Sequence, residues 1–169
     1  VLTGGAGSGK TTTIKQLNQL GYPTVPEAAI EVIQANPDLR GVDPFAFQKL
    51  VVDAQLEREA AIPTGDSGFI FLDRSLIDSM AYCWLRNVPV PNGLDKACRG
   101  SDYHTVFALE TLNNFTERPE TGRTSTQAVS RRTYDLLLEA YKQYGYAVVP
   151  VPDQSVEERT RLILTHLGI

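Results

Sequence analysis

The stretch from Gly4 to Thr12, GGAGSGKTT, has residue types suited to binding phosphate groups. Its spacing, a glycine, four residues and then Gly-Lys-Thr, is that of a phosphate-binding loop. Glycines let successive backbone N–H groups turn inward around an anion, Lys10 adds a cation for the β- and γ-phosphates, and the Thr11 hydroxyl can bind Mg²⁺. We therefore expect ATP with Mg²⁺ as the ligand, held by Gly5, Ala6, Gly7, Ser8, Gly9, Lys10, Thr11 and Thr12.

A second candidate is the acid that ends an apolar run. Residues 69–72 are all apolar, as in a central parallel strand, and Asp73 and Arg74 follow them. Ligands of parallel sheets lie at the carboxyl ends of the strands. Asp73 would then face Thr11 and hold Mg²⁺ directly or through water. The alternative is that Asp73 only caps the next helix.

Two further charged residues are candidates for the side that receives a phosphoryl group. Glu27 follows a predicted strand and can accept a proton from an attacking hydroxyl, or it is a first-turn glutamate favoured by the helix dipole. Arg58 falls on the apolar stripe of a predicted helix, where it either snorkels to solvent or faces the site. The predicted catalytic set is Lys10, Glu27, Asp73 and Arg74, and the predicted substrate-binding set is Glu27, Arg58 and Arg74.

Strands and helices alternate along the chain and would position these side chains. The predicted strands cover residues 1–2, 22–25, 69–72, 105–109 and 146–151, and the predicted helices cover 10–20, 26–34, 44–62, 76–85, 94–99, 126–144 and 155–167. Helical spacing places Leu20, Ile30 and Val129 among the inward residues. The alternation predicts a single α/β domain over 1–169, with five parallel strands and helices on both faces.

The polar segment 110–126 follows the carboxyl end of a predicted strand and contains Arg118 and Arg123. Its length and position suit a lid over the nucleotide, in which these arginines would contact phosphates. The alternative is a solvated surface loop.

Composition excludes several classes of protein. Of the 169 residues 42% are hydrophobic and 21% charged, and the net charge of −4 argues against a general nucleic-acid binder. Cys83 and Cys98 form neither a metal cluster nor a disulfide framework, so we expect a reducing, cytoplasmic setting. No apolar run has the length of a membrane span.

Several motifs together resemble the AAA-type P-loop domain family related to the ribosylnicotinamide kinase domain of NadR. They are the phosphate loop, Gly21-Tyr22-Pro23 with Pro26-Glu27-Ala28-Ala29, Phe45-Ala46-Phe47-Gln48, Leu72-Asp73-Arg74-Ser75 with Ala81-Tyr82, and Ser155-Val156-Glu157-Glu158-Arg159. The layout is more distantly similar to thymidylate and deoxynucleoside kinases. This resemblance implies a three-layer fold with strand order 2-3-1-4-5, Glu27 near the acceptor, Arg74 and Arg58 near phosphates or acceptor, and Arg118 or Arg123 in a lid.

The leading hypothesis is a kinase that transfers the γ-phosphate of ATP to a hydroxyl of a nucleoside-like or similar small molecule. The rival is a regulatory or binding protein that binds or slowly hydrolyses ATP or GTP and has a protein or lipid partner. A signalling GTPase is disfavoured because the sequence has no Asn-Lys-x-Asp run for guanine. The identity of the acceptor, the base preference and the oligomeric state are not predicted.

Overall fold

The computed structural model describes residues 1–63, 68–113 and 126–169. These residues form five strands and eight helices. Seven of the helices correspond to predicted ones, and the short helix over 39–42 was not predicted. The strands are β1 (Leu2–Thr3), β2 (Thr24–Val25), β3 (Phe71–Leu72), β4 (Val106–Leu109) and β5 (Val148–Val151). The helices are α1 (Lys10–Gln19), α2 (Ala28–Ala35), α3 (Leu39–Val42), α4 (Pro44–Ala60), α5 (Leu76–Arg86), α6 (Leu94–Gly100), α7 (Gln127–Gln143) and α8 (Val156–Leu167).

All observed strand pairs are parallel. One ladder has the order β1-β4-β5, and a second joins β2 to β3. The two ladders meet at a single bridge between Leu2 and Asp73, where the Arg74 N–H donates to the Leu2 carbonyl oxygen at 3.0 Å. The expected continuous five-stranded sheet is therefore seen as two short ladders, because the chain leaves the strand conformation at Arg74, whose φ is 77°.

Helices cover both faces of the strands, which confirms the predicted layering. Alternate residues of β4 point to opposite faces, so Val106 packs in the cluster with Ile77 of α5 and Leu137 of α7. Phe107 packs in the cluster with Leu17 of α1, beside α8. All four β4 residues are buried, as expected for a central parallel strand.

Three residues that helical spacing placed in the core are exposed instead. Leu20 is 53% exposed because α1 ends at Gln19, which removes it from the helical stripe. Ile30 and Val129 are 36% and 41% exposed, and both line an open cavity beside the phosphate loop. The predicted inward position of these two residues was therefore wrong.

Across the described ranges, no helix combines the length and the apolar character that a membrane crossing requires. Cys83 and Cys98 are both free thiols and both buried.

Candidate functional site

The phosphate loop connects β1 to α1 and needs glycine at specific positions. Gly9 directly precedes α1 in a left-handed conformation, with φ 79°, which favours glycine. A Cβ on Gly4 would lie 2.4 Å from the Leu109 carbonyl oxygen, and one on Gly5 would lie 2.4 Å from the Ser130 carbonyl oxygen. Glycine therefore lets the loop lie directly against β4 and α7.

Side chains of α7 and α8 hold the phosphate loop in position. The Ser130 hydroxyl on α7 donates to the Ala6 carbonyl oxygen at 2.6 Å. The Arg159 guanidinium on α8 is buried and donates to the carbonyl oxygens of Ser8 and Pro152. The roles of Ser130 and Arg159 were not predicted, although Arg159 ends one of the motifs quoted above.

Lys10 is folded back onto the loop. Its Nζ donates to the carbonyl oxygens of Gly4 at 2.8 Å and Gly5 at 2.9 Å, and to the Ser8 hydroxyl at 3.2 Å. The side chain is 5% exposed, and burial, followed by the positive charge of Arg74, lowers the pKa of Lys10 to about 7. The ammonium has only neutral hydrogen-bond partners here, so a phosphate group would be a stronger partner for it.

Thr11 and Asp73 meet as expected for a magnesium site. The Thr11 hydroxyl donates to Asp73 Oδ2 at 3.2 Å, while the buried Oδ1 has no hydrogen-bond partner in the part of the chain that the structure describes. Burial raises the pKa of Asp73. A buried acceptor without a donor is costly, and a cation would satisfy it.

The donors fit Mg²⁺, which is commonly bound by one or two carboxylates together with water and phosphate oxygens. Within the described ranges, no three His, Cys, Asp or Glu side chains are grouped closely enough to hold a metal alone. Asp73 is not the cap of α5, because the Ser75 hydroxyl accepts from the Ile77 N–H at that helix start. This removes the capping alternative, and the metal role of Asp73 stays a prediction.

Arg74 connects the phosphate loop to Asp78 and Glu27. Its Nη1 donates to the Gly4 carbonyl oxygen at 3.3 Å and to Asp78 Oδ1 at 3.1 Å. Its Nε lies 3.0 Å from Glu27 Oε1, close enough for an ion pair but not aligned as a hydrogen bond. The guanidinium also lies over the Tyr82 ring, 5.1 Å from its centre.

The partner of Arg74, Asp78, is itself held by several donors. Thr3 Oγ1 donates to it at 2.7 Å, Tyr141 OH at 2.6 Å and the Ser75 N–H at 3.1 Å. All of these groups are buried, so the carboxylate has a defined position and fixes the guanidinium. Asp78 was not predicted as a site residue, but the Ser75-x-x-Asp78 capping pattern in the sequence could have indicated it.

Glu27 lies at the two cavities, whereas Arg58 does not. Glu27 precedes α2 without capping it, and its carboxylate contacts Arg74 at the wall between two cavities. Arg58 donates to the Pro26 carbonyl oxygen at 2.6 Å and pairs with Glu31. Arg58 therefore braces the turn that carries Glu27, and it lines neither of those cavities.

The two cavities share a wall. The first, about 510 Å³, opens at the phosphate loop next to Lys10 and Thr11. The second, about 80 Å³, lies between α2, α4 and α5 and is lined by apolar and amide side chains such as Phe47, Gln48 and Val51. The residues that line both cavities are mostly charged or aromatic, namely Glu27, Ile33, Arg40, Arg74, Tyr82 and Arg86.

Gln48 is a buried polar side chain of the small cavity without a partner among the described residues. It is 2% exposed, and its amide makes no hydrogen bond within the described residues. The neighbouring Gln55 instead donates to Glu59 Oε1 at 2.8 Å. A glutamine amide both donates and accepts hydrogen bonds, so Gln48 can recognise a ligand edge that carries one of each.

A family profile described as an AAA domain matches residues 1–159. This chain belongs to that family. Among solved structures, the deoxyadenosine kinase from M. mycoides with bound dATP is similar at a TM-score of 0.66 and 18% identity, over 99% of this chain and 97% of that one. The thymidylate kinase from Candida albicans is similar at 0.64 and 15% identity, over 99% and 89%. These likenesses show a P-loop kinase fold, and no curated protein matches.

In this AAA domain the residues predicted to bind phosphate and Mg²⁺ lie close together, as expected. Lys10, Thr11 and Asp73 meet at one end of the strands, and Arg74 reaches them through Gly4. The predicted lid over 110–126 and its arginines, Arg118 and Arg123, fall largely on 114–125, which lie outside the described residues. Gln48, Arg40 and Arg86 were not predicted as site residues, because they come from three separate helices.

Proposed function

We propose that this AAA domain protein is a kinase that transfers the γ-phosphoryl group of ATP to an oxygen of a nucleoside-like small molecule. One observation carries the proposal. The phosphate loop, with its Thr11–Asp73 pair, opens into a cavity that shares a charged wall with a second, smaller cavity, which is also lined by apolar and amide side chains. A transferase needs two adjoining sites of this kind, whereas a nucleotide-binding regulator needs one.

The donor side would work by positioning and by neutralising charge. Lys10 would leave the carbonyl oxygens of Gly4 and Gly5 and bind the β- and γ-phosphates. Thr11 and Asp73 would hold Mg²⁺, which would neutralise charge on the same phosphates. The loop N–H groups and the start of α1 would bind the remaining phosphate oxygens.

The acceptor side has the chemistry of a base pocket. Phe47 and Tyr82 offer aromatic surface, and the unpartnered Gln48 amide offers a donor and an acceptor. The cavity volume of about 80 Å³ is well below the roughly 300–1,000 Å³ of ordinary small-molecule sites. Binding of the acceptor therefore requires α2 and α3 to move away from α4 and α5.

Glu27 has two proposed roles that its contacts leave open. As a base it would take a proton from an acceptor hydroxyl, which is the role expected from the sequence. As a positioning residue it would hold Arg74 through their 3.0 Å contact. The ion pair supports the second role and does not exclude the first.

We also infer the kinase-like strand order 2-3-1-4-5. The bridge between Leu2 and Asp73 supports this order, because it places β3 beside β1 on the side opposite β4. The cytoplasmic setting stays a prediction, and the two buried thiols suit it.

The test is acceptor-dependent consumption of ATP. ADP formation would be measured with Mg²⁺ alone and with pooled nucleosides and their 5′-monophosphates. We expect an acceptor to stimulate ADP formation in the wild type and in Lys142→Ala, an exposed lysine on α7, but not in Lys10→Ala. If no acceptor stimulates ATP consumption, the result would favour the regulatory ATPase or GTPase instead.

A further inference from the structure

Two arginines on the shared wall have no carboxylate partner among the residues that the structure describes. Arg40 lies in α3 and Arg86 is the last residue of α5, and both line the phosphate-loop cavity and the small cavity. Neither makes an ion pair or a hydrogen bond within the described part of the chain. The other two arginines of this region, Arg58 and Arg74, each pair with a carboxylate.

The two side chains are also close enough to affect each other. Both are partly buried, and burial, followed by the positive charge of Arg40, lowers the pKa of Arg86. Bringing two like charges together out of water is unfavourable unless a counter-charge is supplied. Among the described residues no carboxylate pairs with either arginine, and the two acids of the small cavity, Glu27 and Asp78, both contact Arg74.

A phosphate group could supply the missing negative charge. A guanidinium presents its N–H donors as a planar fork that matches two oxygens of a phosphate, and two such forks can hold one dianion. Three arginines and two carboxylates line the small cavity, so the wall has a positive excess before any ligand binds. ATP bound at the phosphate loop would lie on the other side of this wall.

We propose that Arg40 and Arg86 bind a phosphate group carried by the acceptor, which makes the acceptor a nucleoside monophosphate or a similar phosphate monoester. The inference rests on the proposed kinase function and replaces the neutral hydroxyl compound expected from the sequence. The organic part would occupy the small cavity beside Gln48, and the phosphate would lie on the wall that faces ATP.

The transfer step then follows from the charge of the acceptor. A phosphate monoester is largely a dianion at neutral pH, because its second pKa is about 6. One of its oxygens forms a bond to the γ-phosphorus of ATP, and the bond from that phosphorus to the β–γ bridging oxygen breaks. ADP leaves with the electron pair, and the product is a diphosphate. No proton has to be removed, so Glu27 serves to hold Arg74 and not as a base.

The experiment compares each nucleoside with its own 5′-monophosphate. Wild-type protein saturated with Mg²⁺ and an unreactive ATP analogue would be titrated by calorimetry, and the product of transfer from ATP would be identified by mass spectrometry. We expect one monophosphate to bind at least about 100-fold more tightly than its nucleoside and to be converted to the diphosphate. Arg40→Gln and Arg86→Gln should each weaken monophosphate binding by about 10- to 100-fold. Arg99→Gln, at an exposed arginine on α6, is the matched control.

Three binding results would each overturn the inference. In the first, a nucleoside binds as tightly as its monophosphate. In the second, the arginine variants keep wild-type affinity for the monophosphate. In the third, the variants lose affinity for the ATP analogue but not for the monophosphate. Phosphorylation of a nucleoside would overturn the inference and leave the kinase function intact. Tight monophosphate binding without any acceptor-dependent ADP formation would instead refute the kinase function.

Discussion

Lys10 makes nucleotide binding depend on pH. In the ligand-free protein the pKa of Lys10 is about 7, because the side chain is buried and lies near the positive charge of Arg74. Bound phosphates would restore the ammonium form and raise this pKa towards its ordinary value of 10.5. Above pH 7 the protein must therefore take up a proton when it binds ATP, and its affinity should fall as the pH rises.

The size of the effect follows from the pKa. The fraction of ligand-free protein with Lys10 protonated is about one half at pH 7 and about one hundredth at pH 9, so affinity for Mg²⁺·ATP should fall about 50-fold. Stability of the ligand-free protein changes in the opposite direction. The folded-state pKa is lowered, so the unfolded chain binds more protons between pH 7 and 10.5 and stability rises across that interval.

The assay is calorimetric titration of the unreactive ATP analogue at pH 8 in buffers with different ionisation enthalpies. Comparison of the heats gives the protons taken up, and we expect about 0.9 per site for the wild type. Lys10→Ala should bind far more weakly with this uptake abolished, and Lys142→Ala should match the wild type. Wild-type affinity that is constant from pH 7 to 9, with no proton uptake, would refute the reasoning.

Three other predictions follow from neighbouring contacts. Asp73→Asn should keep nucleotide binding and lose most of its turnover and Mg²⁺ dependence, and an unchanged Mg²⁺ response would rule out the metal role. Gly5→Ala should lower the free energy of unfolding by about 1–3 kcal/mol in urea titrations, since its Cβ would meet Ser130, whereas Gly41→Ala meets no atom within 4 Å and should not. Glu27→Gln should reduce transfer by about 100-fold without changing ATP affinity, and a retained acidic limb in the pH–rate profile would indicate that Glu27 positions Arg74 and is not a base.

The phosphate loop and the α/β alternation could be predicted from the sequence because both depend on neighbours along the chain. Glycine spacing reports backbone geometry within one turn, and an apolar run that ends in Asp73 reports a buried strand with its acid at the ligand edge. The same local reasoning was wrong for Ile30 and Val129. Helical periodicity shows that a face is apolar but not whether that face meets the core or a cavity.

The acceptor side depended on contacts that only the tertiary structure makes. Arg58 was identified on its helix, but its partner Glu31 is 27 residues away in sequence, and that pairing decides that it braces a turn. Gln48, Arg40 and Arg86 look ordinary in their own helices. Only the folded chain shows that all three line the small cavity and that none has a partner among the described residues. Whether a buried charge is paired depends on every element packed around it, so this property appears only when the whole chain is folded.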